Sequence, residues 1–198
     1  MDSLNTFQQF MLLIKALWHS PKAVGAVFPS SSALAKKMAA ELDSLQTEGY
    51  IIEIGAGTGA ITAKLLETGI PHQFFIIIEQ SALLAQHLRE RFPHLLIIEG
   101  DAADLKSLLS DIHLPIRAII SSLPLRSLPN AQVEKIMNEM YGLLDEQGRL
   151  IQYTYDFFSR STKNYNKGFR LLKSSAVFLN IPPARVEVFQ KLPHPSAD

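Results

Sequence analysis

The chain contains no cysteine, which removes disulfides, thiolate metal ligands and thiol nucleophiles together. No stretch approaches the roughly 18 consecutive apolar residues that a membrane-spanning helix requires, although 47% of the residues are hydrophobic. Neither charge is in excess, since 19 Lys and Arg balance 19 Asp and Glu. A protein that grips duplex or structured RNA usually concentrates a basic excess on one face. The neutral balance therefore argues against nucleic acid as the main partner. A cationic segment, an apolar run and a small-residue cleavage site do not occur in the order of a signal peptide. These absences are compatible with a cytoplasmic protein. The 198 residues suit one sizeable domain with a substantial core rather than two.

What is present is concentrated between Tyr50 and Thr62 (YIIEIGAGTGAIT). An apolar strand pattern ends in Glu53-Ile54, three glycines follow at Gly55, Gly57 and Gly59, and a helix pattern begins. Glycines at such a turn let the backbone approach a ligand closely, and the helix start offers unpaired N–H groups to an anionic ligand group. Two cofactors compete for this loop. The dinucleotide fingerprint G-x-G-x-x-G/A is formally met by Gly55, Gly57 and Ala60, with Glu79 about twenty positions on. The stretch Glu53-Ile54-Gly55-Ala56-Gly57-Thr58-Gly59 also resembles the E/D-x-G-x-G-x-G loop of class I methyltransferases, which use S-adenosylmethionine. A carboxylate two residues before the first glycine is of no use against bound phosphates. It suits a cofactor carrying a cationic amino group and a sulfonium. Glu53 tips the choice to S-adenosylmethionine.

Beyond the loop the patterns alternate strand and helix, which predicts a parallel α/β sheet. Strands are expected at Phe74 to Glu79, Leu95 to Glu99, Ile116 to Ser122 and Arg149 to Tyr155, with helices at Ser81 to Phe92, opened by a serine cap, and Ala131 to Leu144. Ala176 to Ile181 and Arg185 to Leu192 are joined tightly through Pro182-Pro183-Ala184. Strands so joined pair antiparallel, because parallel neighbours need a long crossover. The expected fold class is α/β, a Rossmann-like sheet of seven strands in the class I methyltransferase plan, ending in an antiparallel C-terminal hairpin. Residues 1–48 form an N-terminal helical extension facing membrane or substrate, and 49–198 the cofactor-binding core, the whole being compact. Within the extension Phe7, Phe10, Met11, Ile14, Leu17 and Trp18 recur at helical spacing. That stripe suits a helix packed on protein or one lying on a membrane surface.

Carboxylates stand at the ends of successive strands, where open α/β sheets bind ligands. Glu79 ends the second strand, placed for ribose hydroxyls. Asp101 follows the third, placed for the adenine amino group, with the N–H of Ala102 beside it. The full expected cofactor-binding set is Ser30, Ser31, Glu53, Gly55, Ala56, Gly57, Thr58, Gly59, Glu79, Gln80, Gly100, Asp101, Ala102 and Ser121. No metal site is expected. The fourth strand runs into Ser121-Ser122-Leu123-Pro124-Leu125. Amino methyltransferases acting on adenine or glutamine carry an N/D-P-P-Y-like motif there, whose polar residue accepts from the amine and whose ring stacks on the base. Here Ser122 takes the first place and Leu125 the last, so the stacking ring is missing.

Taken together, the chain closely resembles the bacterial phospholipid N-methyltransferase family, also called phosphatidylethanolamine N-methyltransferases. The matching blocks are PKAVGAVFPSS from Pro21, IEIGAGTG from Ile52, GDA from Gly100, SSLPL from Ser121, QYTY from Gln152 and NIPPARV from Asn180. Ser121 departs from the pattern where glycine is expected. The resemblance implies methyl transfer from S-adenosylmethionine to the ethanolamine nitrogen of a phospholipid, toward phosphatidylcholine. It implies a peripheral association with the inner face of the cytoplasmic membrane through the N-terminal amphipathic helix, and a phospholipid as partner. Tyr153 and Tyr155 are the candidates for lining the amine pocket by cation–π contact, with Ser122 accepting from the amine; these three are the catalytic candidates. Arg126 and Arg160 are placed for a lipid phosphate, and residues 156–168 for a lid. Three rivals stand beside this reading: an rRNA adenine dimethyltransferase, a methyltransferase of small soluble amines, and a cofactor-binding protein without turnover.

Overall fold

The computed structural model describes residues 30–43, 48–113, 115–125, 128–154, 168–178 and 184–193, without the side chains of 30–32 and 43. The stripe from Phe7 to Trp18, Arg126, Tyr155, Arg160 and the expected lid up to residue 167 lie outside them.

Seven strands form one sheet, β1 (Tyr50–Ile54), β2 (Phe75–Glu79), β3 (Leu96–Glu99), β4 (Ile116–Ser121), β5 (Leu144–Thr154), β6 (Phe169–Val177) and β7 (Ala184–Lys191). Their order is β3-β2-β1-β4-β5-β7-β6. β1 to β5 pair in parallel, and β7 lies antiparallel between β5 and β6. This is the class I methyltransferase plan expected from the sequence. β1 and β2 are the most apolar strands because both of their faces are covered.

The helices are α1 (Ser30–Asp43), α2 (Ala60–Leu66), α3 (Ala82–Arg91), α4 (Leu105–Leu108) and α5 (Asn130–Leu143). One face of the sheet packs Ile51, Ile77, Ile120 and Ile151 against Leu34 and Met38 of α1, Leu65 of α2 and Leu88 of α3. The other packs Ile52, Ile76, Ile119 and Leu150 against Leu105 of α4 and Val133, Ile136 and Met140 of α5. α1 buries Leu34, Ala35, Met38, Ala39 and Leu42 in the first of these layers. Lys173 of β6 reaches Glu41 of α1 at 2.6 Å, a partly exposed pair of the kind that contributes at most ~1 kcal/mol.

Boundaries differ from expectation by more than one residue in two places. β6 occupies 169–177, so most of it precedes the segment 176–181 read as strand, of which 179–181 lie outside the described residues. It is the outermost strand and is exposed along Arg170 to Ser174, with a register break between Leu171 and Lys173. An edge strand wet on both faces has no apolar alternation to betray it. β5 begins at Leu144 rather than Arg149. Leu144 pairs with Ile116 and Arg149 with Ala118, so residues between them form an irregularity inside the strand.

Candidate active site

The strand order reverses direction between β1 and β4, the switch point at which open α/β sheets bind ligands. Two loops meet there. Gly55 donates its N–H to Ile78 O at 2.9 Å, and Ser122 donates to Ile54 O at 2.9 Å. A Cβ on Gly55 would lie 2.9 Å from Leu123 Cδ2, so the glycine lets the SSLPL loop close against the glycine loop. Gly55, Gly57 and Gly59 all have φ between 60° and 75°, the left-handed region that side chains with a Cβ avoid. Gly59 ends that turn as the residue before α2, and a Cβ there would strike Phe92 at 2.5 Å. A Cβ on Gly57 would meet nothing within 4 Å among the described residues. Its left-handed turn faces open space, which is the cradle a cofactor requires. Thr58 is fixed from outside by Arg91, whose Nη1 donates to its carbonyl at 2.6 Å, and Ala56 is buried.

Glu53 is fully buried at the end of β1. Its Oε2 accepts from Thr62 Oγ1 at 2.7 Å, whereas Oε1 is sealed from solvent and has no hydrogen-bond partner among the described residues. Desolvation is the main cause raising its pKa from 4.5 to about 7; the Thr62 hydrogen bond opposes the rise and the nearby Glu79 adds to it. An interior carboxylate oxygen without a partner is costly unless a group yet to arrive satisfies it. A cationic ammonium fits that requirement, directly or through one water.

Glu79 ends β2 and is also buried. Its Oε2 accepts from Gly57 N and its Oε1 from Ser81 N, both at 3.0 Å. It therefore braces the glycine loop while keeping lone pairs for further donors. Gln80 Nε2 donates to Asp101 Oδ2 at 2.9 Å, and Asp101 Oδ1 accepts from Ala103 N at 2.8 Å. Gly100 donates to Glu79 O, and Ala102 is buried beside Asp101. The strand-end carboxylates of β1 and β2 and the loop after β3 thus line one edge of the sheet, as the sequence places them.

On the other side of the switch point, Ser121 is wholly buried and pairs in register with Ile54 and Gln152. Its Oγ accepts weakly from Leu123 N at 3.4 Å. Ser122 Oγ is buried without a partner among the described residues. Tyr153 is half-buried near the end of β5, opposite Val186, and packs on the α1–α3 face of the sheet. Glu53 points to that same face, because Ile51 and Ile151, two residues before each, both belong to its core. Leu125 is buried in the opposite layer. Ser30 and Ser31 open α1, their side chains outside the described residues. Among the described residues no group of His, Cys, Asp and Glu is arranged to hold a metal ion.

Sequence reasoning passed over Thr62. The signal was there: Ile61 and Leu65 define the buried stripe of α2, and Thr62 lies on it, so its hydroxyl needs an interior partner.

Residues 51–148 match the family described as "Methyltransferase domain". The chain is 24% identical over 185 residues to the ornithine lipid N-methyltransferase of Singulisphaera acidiphila, covering 89% of this chain and 93% of that protein. It is 46% identical over 69 residues to a probable ribosomal RNA small subunit methyltransferase A of Haloquadratum walsbyi, of which it spans only 22%. In structure it resembles a TehB-like SAM-dependent methyltransferase from Corynebacterium glutamicum, with a TM-score of 0.65, 16% identity, and coverage of 91% of this chain and 98% of that one. The fold and the matched domain define an S-adenosylmethionine-dependent methyltransferase. S-adenosylmethionine is its cofactor, and the orphaned acidic oxygen and open glycine cradle fit that molecule.

Proposed function

We propose that the protein methylates the ethanolamine nitrogen of a membrane phospholipid, toward phosphatidylcholine. The observation that carries this reading is the end-to-end correspondence with a relative named for N-methylation of a lipid. The rRNA methyltransferase likenesses, by contrast, cover between 32% and 67% of this chain and no more than 45% of those proteins. The buried position of Leu125 also speaks against an adenine substrate, since the place of the base-stacking ring in the adenine enzymes belongs here to the core.

When bound, the cofactor supplies a methyl carbon already activated by its positively charged sulfur. The protein's part is to hold the two reactants in line, an arrangement worth several kcal/mol, of order 7–11 at best. Glu53 and Asp101 hold the cofactor's cationic and adenine ends, and Glu79 its ribose. Ser122 Oγ accepts a hydrogen bond from the headgroup amine, orienting the nitrogen lone pair. The amine gives its proton to water, so a strong base is not required. Tyr153 presents its ring to the nitrogen as methylation makes it permanently cationic, and Tyr155 is the second aromatic candidate for the same role. Arg126 and Arg160 take the lipid phosphate. The stripe from Phe7 to Trp18, in the extension formed by residues 1–48, rests on the inner face of the cytoplasmic membrane and brings the catalytic edge to the headgroups. No helix among the described residues is long and apolar enough to cross a membrane.

The relative's name favours a second reading, in which the amine belongs to an ornithine lipid. The shared chemistry is a primary amine on a lipid headgroup. Transfer of labelled methyl to vesicles containing phosphatidylethanolamine, to vesicles containing ornithine lipid, and to soluble phosphoethanolamine separates the cases. Preference for the first supports the proposal and preference for the second replaces it. Equal rates on the soluble amine would sink the lipid reading altogether.

A further inference from the structure

We propose that Thr62 is a positioning residue that makes cofactor binding release a proton from Glu53. This rests on Glu53 meeting the cofactor's ammonium.

The two oxygens of Glu53 stand in unlike settings. Oε2 is held by Thr62 Oγ1 at 2.7 Å, and Oε1 is enclosed without a partner among the described residues. Thr62 is fully buried on α2, the helix that starts at the glycine loop, so the turn that forms the cradle also sets the carboxyl's orientation. The in-register neighbours of Glu53 are Ile77 on β2 and Ile120 on β4, and neither can solvate a charge. The charged group that acts on it is Glu79, whose own oxygens are engaged by Gly57 and Ser81. Burial and this like charge hold a proton on Glu53 up to about pH 7.

A cation at Oε1 reverses that preference, because an opposite charge within a few ångströms favours the ionised form. Below about pH 7 the carboxylic acid therefore gives its proton to solvent as the ligand binds, while the ammonium keeps its own. The Thr62 hydroxyl donates to Oε2 of the resulting carboxylate and lowers the pH at which this exchange is complete. Without it, the ionised form has one partner fewer and binding demands a higher pH.

The test is calorimetric and needs no turnover. S-adenosylhomocysteine, which keeps the amino acid end and lacks the reacting methyl, is titrated near pH 6 in buffers of different ionisation heat. The expected result is release of about one proton per ligand. 5′-Methylthioadenosine, which lacks the ammonium, should release none, and Glu53→Gln should abolish the release. Thr62→Val should move the pH at which affinity levels off upward by about one unit, and Thr62→Ser should return it. Equal proton release with both ligands would overturn the proposal. So would a Thr62→Val loss that is the same factor at every pH. Should Thr62→Val fail to fold, the ligand pair and Glu53→Gln still decide. None of these readouts involves lipid, so a failed lipid reading leaves this result intact.

Discussion

Glu53 is an interior group in the ligand-free chain and is proposed to be a charge partner in the liganded one, and those roles pull against each other. The native protein holds its proton to about pH 7, whereas an unfolded glutamate releases it near 4.5. The native state thus binds more protons between these values, and stability falls as pH rises through that window. Above it the buried charge costs ~3 kcal/mol. Glu53→Gln is neutral at every pH. Denaturant titration of the ligand-free protein should find it more stable than the parent by about that amount near pH 8 and hardly different near pH 5. An equal difference at both would contradict the assignment. At Tyr153 the ring and the hydroxyl can be separated. Tyr153→Ala is expected to lower kcat/KM on the lipid amine about tenfold, a cation–π contact of somewhat over 1 kcal/mol, with cofactor affinity unchanged. Tyr153→Phe should keep most of the turnover. If the alanine variant turns over normally, the tyrosine is a packing residue.

The glycine loop shows how one element divides its positions between folding and binding. Gly57 and Gly59 share left-handed backbone, so alanine strains each by about 1–2 kcal/mol. At Gly59 the added carbon also strikes Phe92 and Leu88, whereas at Gly57 it meets only open space. Thermal melting should therefore fall much further for Gly59→Ala than for Gly57→Ala. Calorimetry should show the reverse emphasis for Gly57→Ala, a folded protein with weakened cofactor binding. The same physics explains what the sequence discloses. β1 and β2 are legible because both faces are covered, so their residues form near-continuous apolar runs around a single functional carboxylate. The Ser81 cap and the strand-end positions of Glu79 and Asp101 are legible because local chemistry fixes them. β6 is not, since an exposed edge imposes no pattern. The partner of Glu53 is not either: Thr62 is nine residues away in sequence and its role exists only once α2 packs on β1.

At the scale of the whole molecule, an α/β fold is proposed to act on an amine that sits in a bilayer. The proposal assigns the membrane contact to the stripe from Phe7 to Trp18 and the chemistry to the edge bearing Ser122 and Tyr153. Deleting the first twenty or so residues should abolish sedimentation with anionic vesicles while leaving S-adenosylhomocysteine affinity within about twofold. Retained vesicle binding would move the membrane contact elsewhere. The central claim is tested most directly by incubating the protein with S-adenosylmethionine labelled in its methyl group and vesicles of phosphatidylethanolamine with an anionic lipid, then resolving the extracted lipids. The account predicts label in the mono-, di- and trimethylated phospholipids in turn. An unlabelled lipid fraction, from a sample that binds the cofactor, would contradict it.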